Sequence, residues 1–147
     1  MLTRLEANDI VAMWQVIEEG VKRSFDPELL SKEGTSSRLL KKLLDGSIVA
    51  WLSRRNIDAL PSGIILTSIL SDDVVNERAL LIYMMSTFGI APQAQEWTEA
   101  AEGIRKYGKS VRCKRVVFYT RNQKLIRFFS SANIGITTSY FMCTIDL

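Results

Sequence analysis

Two apolar runs separated by one amphipathic segment constrain this chain more than any other feature. Arg78 to Ser86 is the most apolar stretch, and Lys114 to Arg121 is a second strand-like run. Between them Trp97, Ala101, Ile104 and Val111 form a helical stripe, with Glu96 and Glu99 early and Arg105, Lys106 and Lys109 late, as a helix dipole favours. Pro92 suits the first helical position, where a missing N–H costs nothing. Strand, helix and strand in this order make a crossover unit, so the two strands are expected to run parallel.

Ahead of that unit, Ser47 to Ser53 and Gly63 to Ser71 read as strands, with turns at Asn56–Ser62 and Asp72–Asn76. An antiparallel meander follows. Arg78–Ser86 lacks clean alternation, which predicts a central strand covered on both faces. Met1 to Glu6 alternates as a short strand, and Asn8 or Asp9 can cap a helix carrying Ile10, Trp14, Ile17 and Val21 to about Ser24. Asp26-Pro27 breaks it. A second helix begins near Thr35 or Ser36, puts Leu39, Leu40, Leu43 and Leu44 on one side, and ends at Asp45-Gly46. After Arg121, Gln123 to Ala132 reads as a helix and Thr137 to Asp146 as a last strand. The expectation is one α/β domain over residues 1–147, a mixed central sheet with helices on both faces.

The chain has 147 residues, 47% hydrophobic and 24% charged, with no histidine. The commonest general base and the commonest metal ligand are both missing. Cys113 and Cys143 make no metal or disulfide spacing, so no metal is expected. Arg4, Glu6 and Asp9 interrupt the start before any secretory core, and Ala79–Met85 is too short to span a bilayer. A cytoplasmic protein with no membrane contact is expected. Charge is divided along the chain: Gly103 to Ile145 holds nine Lys or Arg and no carboxylate, whereas residues 1 to 102 carry a balance of −5. That asymmetry predicts a basic surface for an acidic partner, drawn from Arg105, Lys106, Lys109, Arg121, Lys124 and Arg127.

The opening Leu2-Thr3-Arg4-Leu5-Glu6-Ala7-Asn8-Asp9, the order of elements, and a strand ending in Thr120-Arg121-Asn122 before a helix together resemble the GNAT superfamily of N-acetyltransferases. The stretch from Trp97 to Leu147 resembles the small GNAT-like proteins of tailed bacteriophages in particular. The resemblance implies a GNAT-like fold and a site for acetyl-CoA at the turn after the fourth strand. There Met84, Met85, Ser86, Thr87 and Gly89, with Asn122 on the next strand, would contact the cofactor.

Three departures bear on the chemistry that the resemblance implies. The family's Gly-rich pyrophosphate turn is reduced to Ser86-Thr87-Phe88-Gly89-Ile90-Ala91-Pro92, with Gly89 alone, Pro92 lacking a donor, and Glu96 and Glu99 opposing an anion. The general-acid Tyr of many members corresponds to Phe129, which has no proton to give. The Gly-Phe pair that closes the family's next helix corresponds to Asn133-Ile134. Glu77 and Asp73 are the remaining general-base candidates. Read together, these departures favour a non-catalytic assembly or virion-associated binding protein of phage with no cofactor and a protein partner of acidic surface. The alternative is an acetyl-CoA-dependent N-acyltransferase acting on an amine, with backbone N–H groups of Met84 to Thr87 polarising the carbonyl and the basic half holding the phosphates. Nucleic-acid binding through the basic half, with Tyr119 or Phe128 stacking, ranks third.

Overall fold

The computed structural model describes residues 1–24, 32–89 and 93–119. Along them run β1 (Leu2–Arg4), α1 (Ala7–Ala12), α2 (Trp14–Ser24), α3 (Thr35–Leu44), β2 (Ile48–Ser53), β3 (Gly63–Asp72), β4 (Glu77–Thr87), α4 (Ala94–Ser110) and β5 (Arg115–Phe118). The expected helix over 123–132, the strand over 137–146, Asn122 and Phe129 lie outside the described residues.

The sheet order is β1-β2-β3-β4-β5. The first three pairings are antiparallel, which is the meander the turns predict, and β4 runs parallel to β5 across the α4 crossover. Helices cover both faces. On one, Ile10, Ile17, Val21, Leu39 and Leu43 pack over Ile48, Ala50, Leu52, Ile64, Leu66 and Met84. On the other, Ala100 and Ile104 of α4 pack over Val49, Trp51, Ile65 and Leu80.

Several local expectations are corrected. The first helix divides at Met13, which caps α1 with its N–H on Asp9 O at 2.9 Å, and α2 restarts at Trp14. The N-cap is Glu6, not Asn8 or Asp9, because Asp9 sits at the third helical position and its carboxylate accepts the Glu6 N–H at 3.0 Å. Leu44 faces solvent, one step round the helix from buried Leu43. The strand buried along its whole length is β2, not β4, because β2 lies beneath α3 on one side and α4 on the other. On β4 only Leu80 and Met84 are buried.

The buried stripe of α4 is Glu96, Ala100, Ile104 and Gly108, not Trp97, Ala101, Ile104 and Val111. Small residues let the helix lie close to the sheet. A Cβ on Gly108 would stand 3.5 Å from Leu80, and one on Gly103 would stand 3.0 Å from Leu2. The helix starts at Ala94 with Gln93 as its cap, beyond Pro92, which is outside the described residues.

Candidate functional site

The site candidate is the C-terminal end of β4, where its two neighbours treat it differently. Against β3 the register slips: Leu66 aligns with Met84, but the next residue, Thr67, aligns with Ile82. Tyr83 is therefore the extra residue of a β-bulge, a feature that re-aims the strand. Against β5 the ladder runs from Ala79/Arg115 to Ile82/Phe118 and, among the described residues, stops there. Tyr119 is outside the ladder and 62% exposed. So β4 continues for five residues, Tyr83 to Thr87, beyond its last pairing with β5 among the described residues.

Alternation then fixes which backbone groups point away from β3. Phe88 N donates to Ser62 O at 2.9 Å, so that side of β4 belongs to β3. Residues one position off, Met85 and Thr87, turn their amides the other way, toward the β5 side. The carbonyl of Met85 agrees with this direction, since it accepts the Ser24 hydroxyl at 3.3 Å from the end of α2. Ser86 packs under α2, where Gly20 has no Cβ: an added one would meet Ser86 Cβ at 3.5 Å. The Met84 side chain is buried among the helices of the first face, and its amide points to β3, as those of Ser86 and Phe88 do.

Beneath this end of β4 lies a small crevice lined by Ser53, Gly63, Met85, Ser86, Thr87, Glu96 and Trp97 among others, about 10 Å³ in size. It holds no more than about one water molecule. Gly63 is required there, because a Cβ would stand 2.8 Å from the carbonyl oxygen of Ser86. Glu96 is the only ionisable residue in that lining and is 6% exposed. Its Oε2 accepts Gln93 N at 2.8 Å, while the Gln93 side chain takes the Glu96 N–H, a reciprocal capping box. Its Oε1 lies 3.9 Å from Arg55 Nε in the loop after β2.

The sequence-predicted residues sort accordingly. Met85, Ser86 and Thr87 line the crevice, and Met84 does not. Gly89, exposed at φ 73, supplies a left-handed turn that other residues adopt at a cost. Glu77 and Asp73 are not brought to this site. Glu77 starts β4 with Arg115 Nη2 at 3.8 Å, and Asp73 is exposed in the β3–β4 turn. Eight residues of strand separate Glu77 from Met85, roughly 26 Å at about 3.3 Å each. Both lie at the opposite end of β4. Glu99 does not oppose an anion at the α4 start either. It binds the Met1 amino group at 2.8 Å, and that contact with Gln95 holds its pKa below the usual carboxylate value.

Four contributors escaped the sequence reading: the Tyr83 bulge, Ser24, Arg55 and the Gln93/Glu96 cap. Only the last had a local signal, since a polar cap with Glu three positions on is a helix-start pattern.

Comparison with known proteins places the architecture. The chain matches no family model and no curated protein. Solved structures match it over their full length. One is a probable acetyltransferase, with TM-score 0.75 and 11% identity, covering 100% of this chain and 97% of that one. A second is the ribosomal-protein-alanine N-acetyltransferase from Brucella melitensis biovar Abortus 2308, with TM-score 0.69, 11% identity, and coverage of 100% and 99%. A third is AAC(6')-Iy in complex with the bisubstrate analogue CoA-S-monomethyl-acetylneamine, with TM-score 0.72, 10% identity, and coverage of 100% and 97%. At such identities the likeness is one of fold, and the fold is that of GNAT acetyltransferases. Neither it nor these neighbours lends support to the phage-specific resemblance or to a virion-assembly role.

Proposed function

We propose that this chain is an N-acyltransferase of the GNAT superfamily that takes its acyl group from acetyl-CoA and passes it to an amine. The observation that carries the reading is the Tyr83 bulge, which re-aims the carboxyl end of β4 where the Met85 and Thr87 amides turn away from β3. Binding sites in sheets with parallel strands gather at such carboxyl ends.

The residues suit part of the cofactor better than the rest. An extended thioester arm matches a strand edge with outward amides, as β-strand addition does. When bound, acetyl-CoA supplies an acyl group already activated as a thioester. The Met85 and Thr87 amides would hold and polarise its carbonyl, and Ser24 keeps that segment in place through the Met85 carbonyl. The helix start is less suited to a pyrophosphate, because its capping box occupies two donors and adds the Glu96 charge. With Glu96 committed to Gln93, acceleration rests on proximity and carbonyl polarisation, and the amine is best delivered neutral.

Calorimetric titration with acetyl-CoA tests the reading. A dissociation constant near or below about 10 μM, roughly −7 kcal/mol, is expected. Absence of binding at about 1 mM would end it. Thiol release on adding candidate amines then identifies the acceptor class.

A further inference from the structure

We propose that Arg55, in the loop between β2 and β3, is the phosphate-recognition residue of this site, and that its ligand is the phosphate-bearing portion of an acyl-CoA. The proposal rests on the acyltransferase reading. A phosphate needs converging donors and positive charge, and two ordinary sources fail here. The α4 start spends two of its donors on itself and sets a carboxylate beside the rest: Gln93 N goes to Glu96 at 2.8 Å and the Glu96 N–H goes to the Gln93 side chain. The cations of α4 lie too far along the helix. Arg105 and Lys109 follow Ala94 by eleven and fifteen residues, about 16 and 22 Å at about 1.5 Å per residue.

The sheet register brings a different cation to the place. Ser53 aligns with Gly63, and Gly63 aligns with Thr87, so the end of β2, the start of β3 and the end of β4 are level. Ser53, Gly63, Thr87 and Glu96 accordingly line one crevice. Arg55 stands two residues beyond Ser53. Glu96 Oε1 lies 3.9 Å from its Nε, close enough to orient the guanidinium but too long for a hydrogen bond. The Arg55 side chain is 57% exposed, and among the described residues its terminal nitrogens have no partner, which suits the fork-like contact that guanidinium makes with phosphate.

Neighbouring Arg54 is committed elsewhere. Its backbone pairs with Met1 in both directions, its Nη1 reaches Ile57 O at 3.4 Å, and its Nε is buried. Arg54 therefore fixes the loop, and Arg55 presents charge from it. Buried Glu96 has a double part: it closes the helix that would otherwise hold the anion and aims the side chain that replaces it.

The test compares acetyl-CoA with S-acetylpantetheine, which carries the same arm without phosphates. Arg55→Gln should weaken acetyl-CoA about tenfold or more, about 1.4 kcal/mol, while leaving S-acetylpantetheine and the melting temperature unchanged. Equal weakening of both ligands overturns the proposal, as does equal acetyl-CoA affinity in variant and parent. Arg55→Gln combined with Glu96→Gln separates contact from mere neutralisation. Continued weak acetyl-CoA binding supports the contact, and recovery to the parental affinity overturns it. A parent that fails to bind acetyl-CoA removes the acyltransferase reading itself, which is a different outcome from an Arg55 variant that binds like its parent.

Discussion

Ile82 and Met84 lie two residues apart on one strand and face opposite sides of the sheet. Ile82 packs with α4, and Met84 packs with the helices of the other face. In a regular strand they would share a face. The bulge at Tyr83 separates them and lets both ends of β4 fill their own cores.

The first prediction follows from that geometry. Deleting Tyr83 restores an uninterrupted ladder while keeping Ile82 and Met84 on their present faces. The deletion variant should therefore fold, with a melting temperature within a few degrees of the parent, a change of about 1 kcal/mol or less. It should lose acetyl-CoA binding, because without the bulge the end of β4 no longer bends, and the Met85 and Thr87 amides stand differently relative to β5. Circular dichroism with calorimetric titration checks both halves. Retained binding would make the bulge a structural accident.

How much of this was legible in the sequence depends on the scale of the pattern. The meander and the parallel crossover were readable because apolar runs such as Ile48–Ser53 and Gly63–Asp72 are separated by turn residues. Ile10, Ile17, Val21, Leu39 and Leu43 were found in the core by helical spacing alone. What failed needed knowledge of neighbours. A four-residue stripe containing Glu96 and Gly108 has no hydrophobic signature, since the glycine is buried for closeness and the glutamate for capping. Nothing local marks Tyr83 as a bulge, because the register of β3 decides it. Arg55 and Glu96 are 41 positions apart and meet only through the level ends of β2, β3 and β4. The charge asymmetry did not single out Arg55, since composition along the chain says nothing about which cation the register brings to a strand end.

The second prediction concerns the buried polar pair behind β2. Trp51 Nε1 donates to Thr67 Oγ1 at 2.9 Å, both groups are buried, and the indole meets Tyr107 edge-on at 4.7 Å. Thr67→Val keeps the shape and removes the acceptor, leaving an indole N–H buried without a partner. A loss of about 1 to 3 kcal/mol is expected. Adding Trp51→Phe should recover part of the hydrogen-bond cost, although the smaller ring leaves a cavity. Denaturant unfolding of the two single variants and the double variant measures the coupling.

The third prediction is a pH effect. The Ser36 hydroxyl of α3 donates to the Glu18 carboxylate of α2, and Lys22 lies 3.3 Å from the same group. The hydroxyl first and the lysine second hold the Glu18 pKa below its ordinary value. A lowered folded pKa contributes stability that is complete above the unfolded carboxylate value and is lost as pH falls through the folded one. Asp45, lowered by its hydrogen bonds from Ser47 and then by Lys42 and Lys41, acts in the same sense. Glu18→Gln should therefore melt below the parent near about pH 7 and approach it near about pH 3. Melting curves across that window check this; a gap that stays constant with pH would show that Glu18 acts by packing alone.

The last prediction separates the two basic regions. Lys106, Lys109, Arg112 and Lys114 are exposed at the C-terminal end of α4 and the turn that follows it, and no carboxylate forms an ion pair with them among the described residues. The neighbouring charges are answered: Arg105 pairs with Glu102 at 2.9 Å and Arg115 with Glu77 at 3.8 Å. We propose that the four unanswered cations form the surface that meets an acidic partner. Opposite charge across such a surface mainly speeds encounter and sets orientation, and salt screens it. Lys106→Glu with Lys109→Glu should abolish salt-sensitive association with a poly-glutamate probe. The same change should shift stability by no more than about 1 kcal/mol, the size of a lost favourable interaction with the helix dipole. Because Lys109 is about 22 Å along the helix from Ala94, acetyl-CoA affinity should not move, in contrast to Arg55→Gln. If the double reversal weakened acetyl-CoA instead, the phosphates would lie along α4 and not at the level ends of the strands.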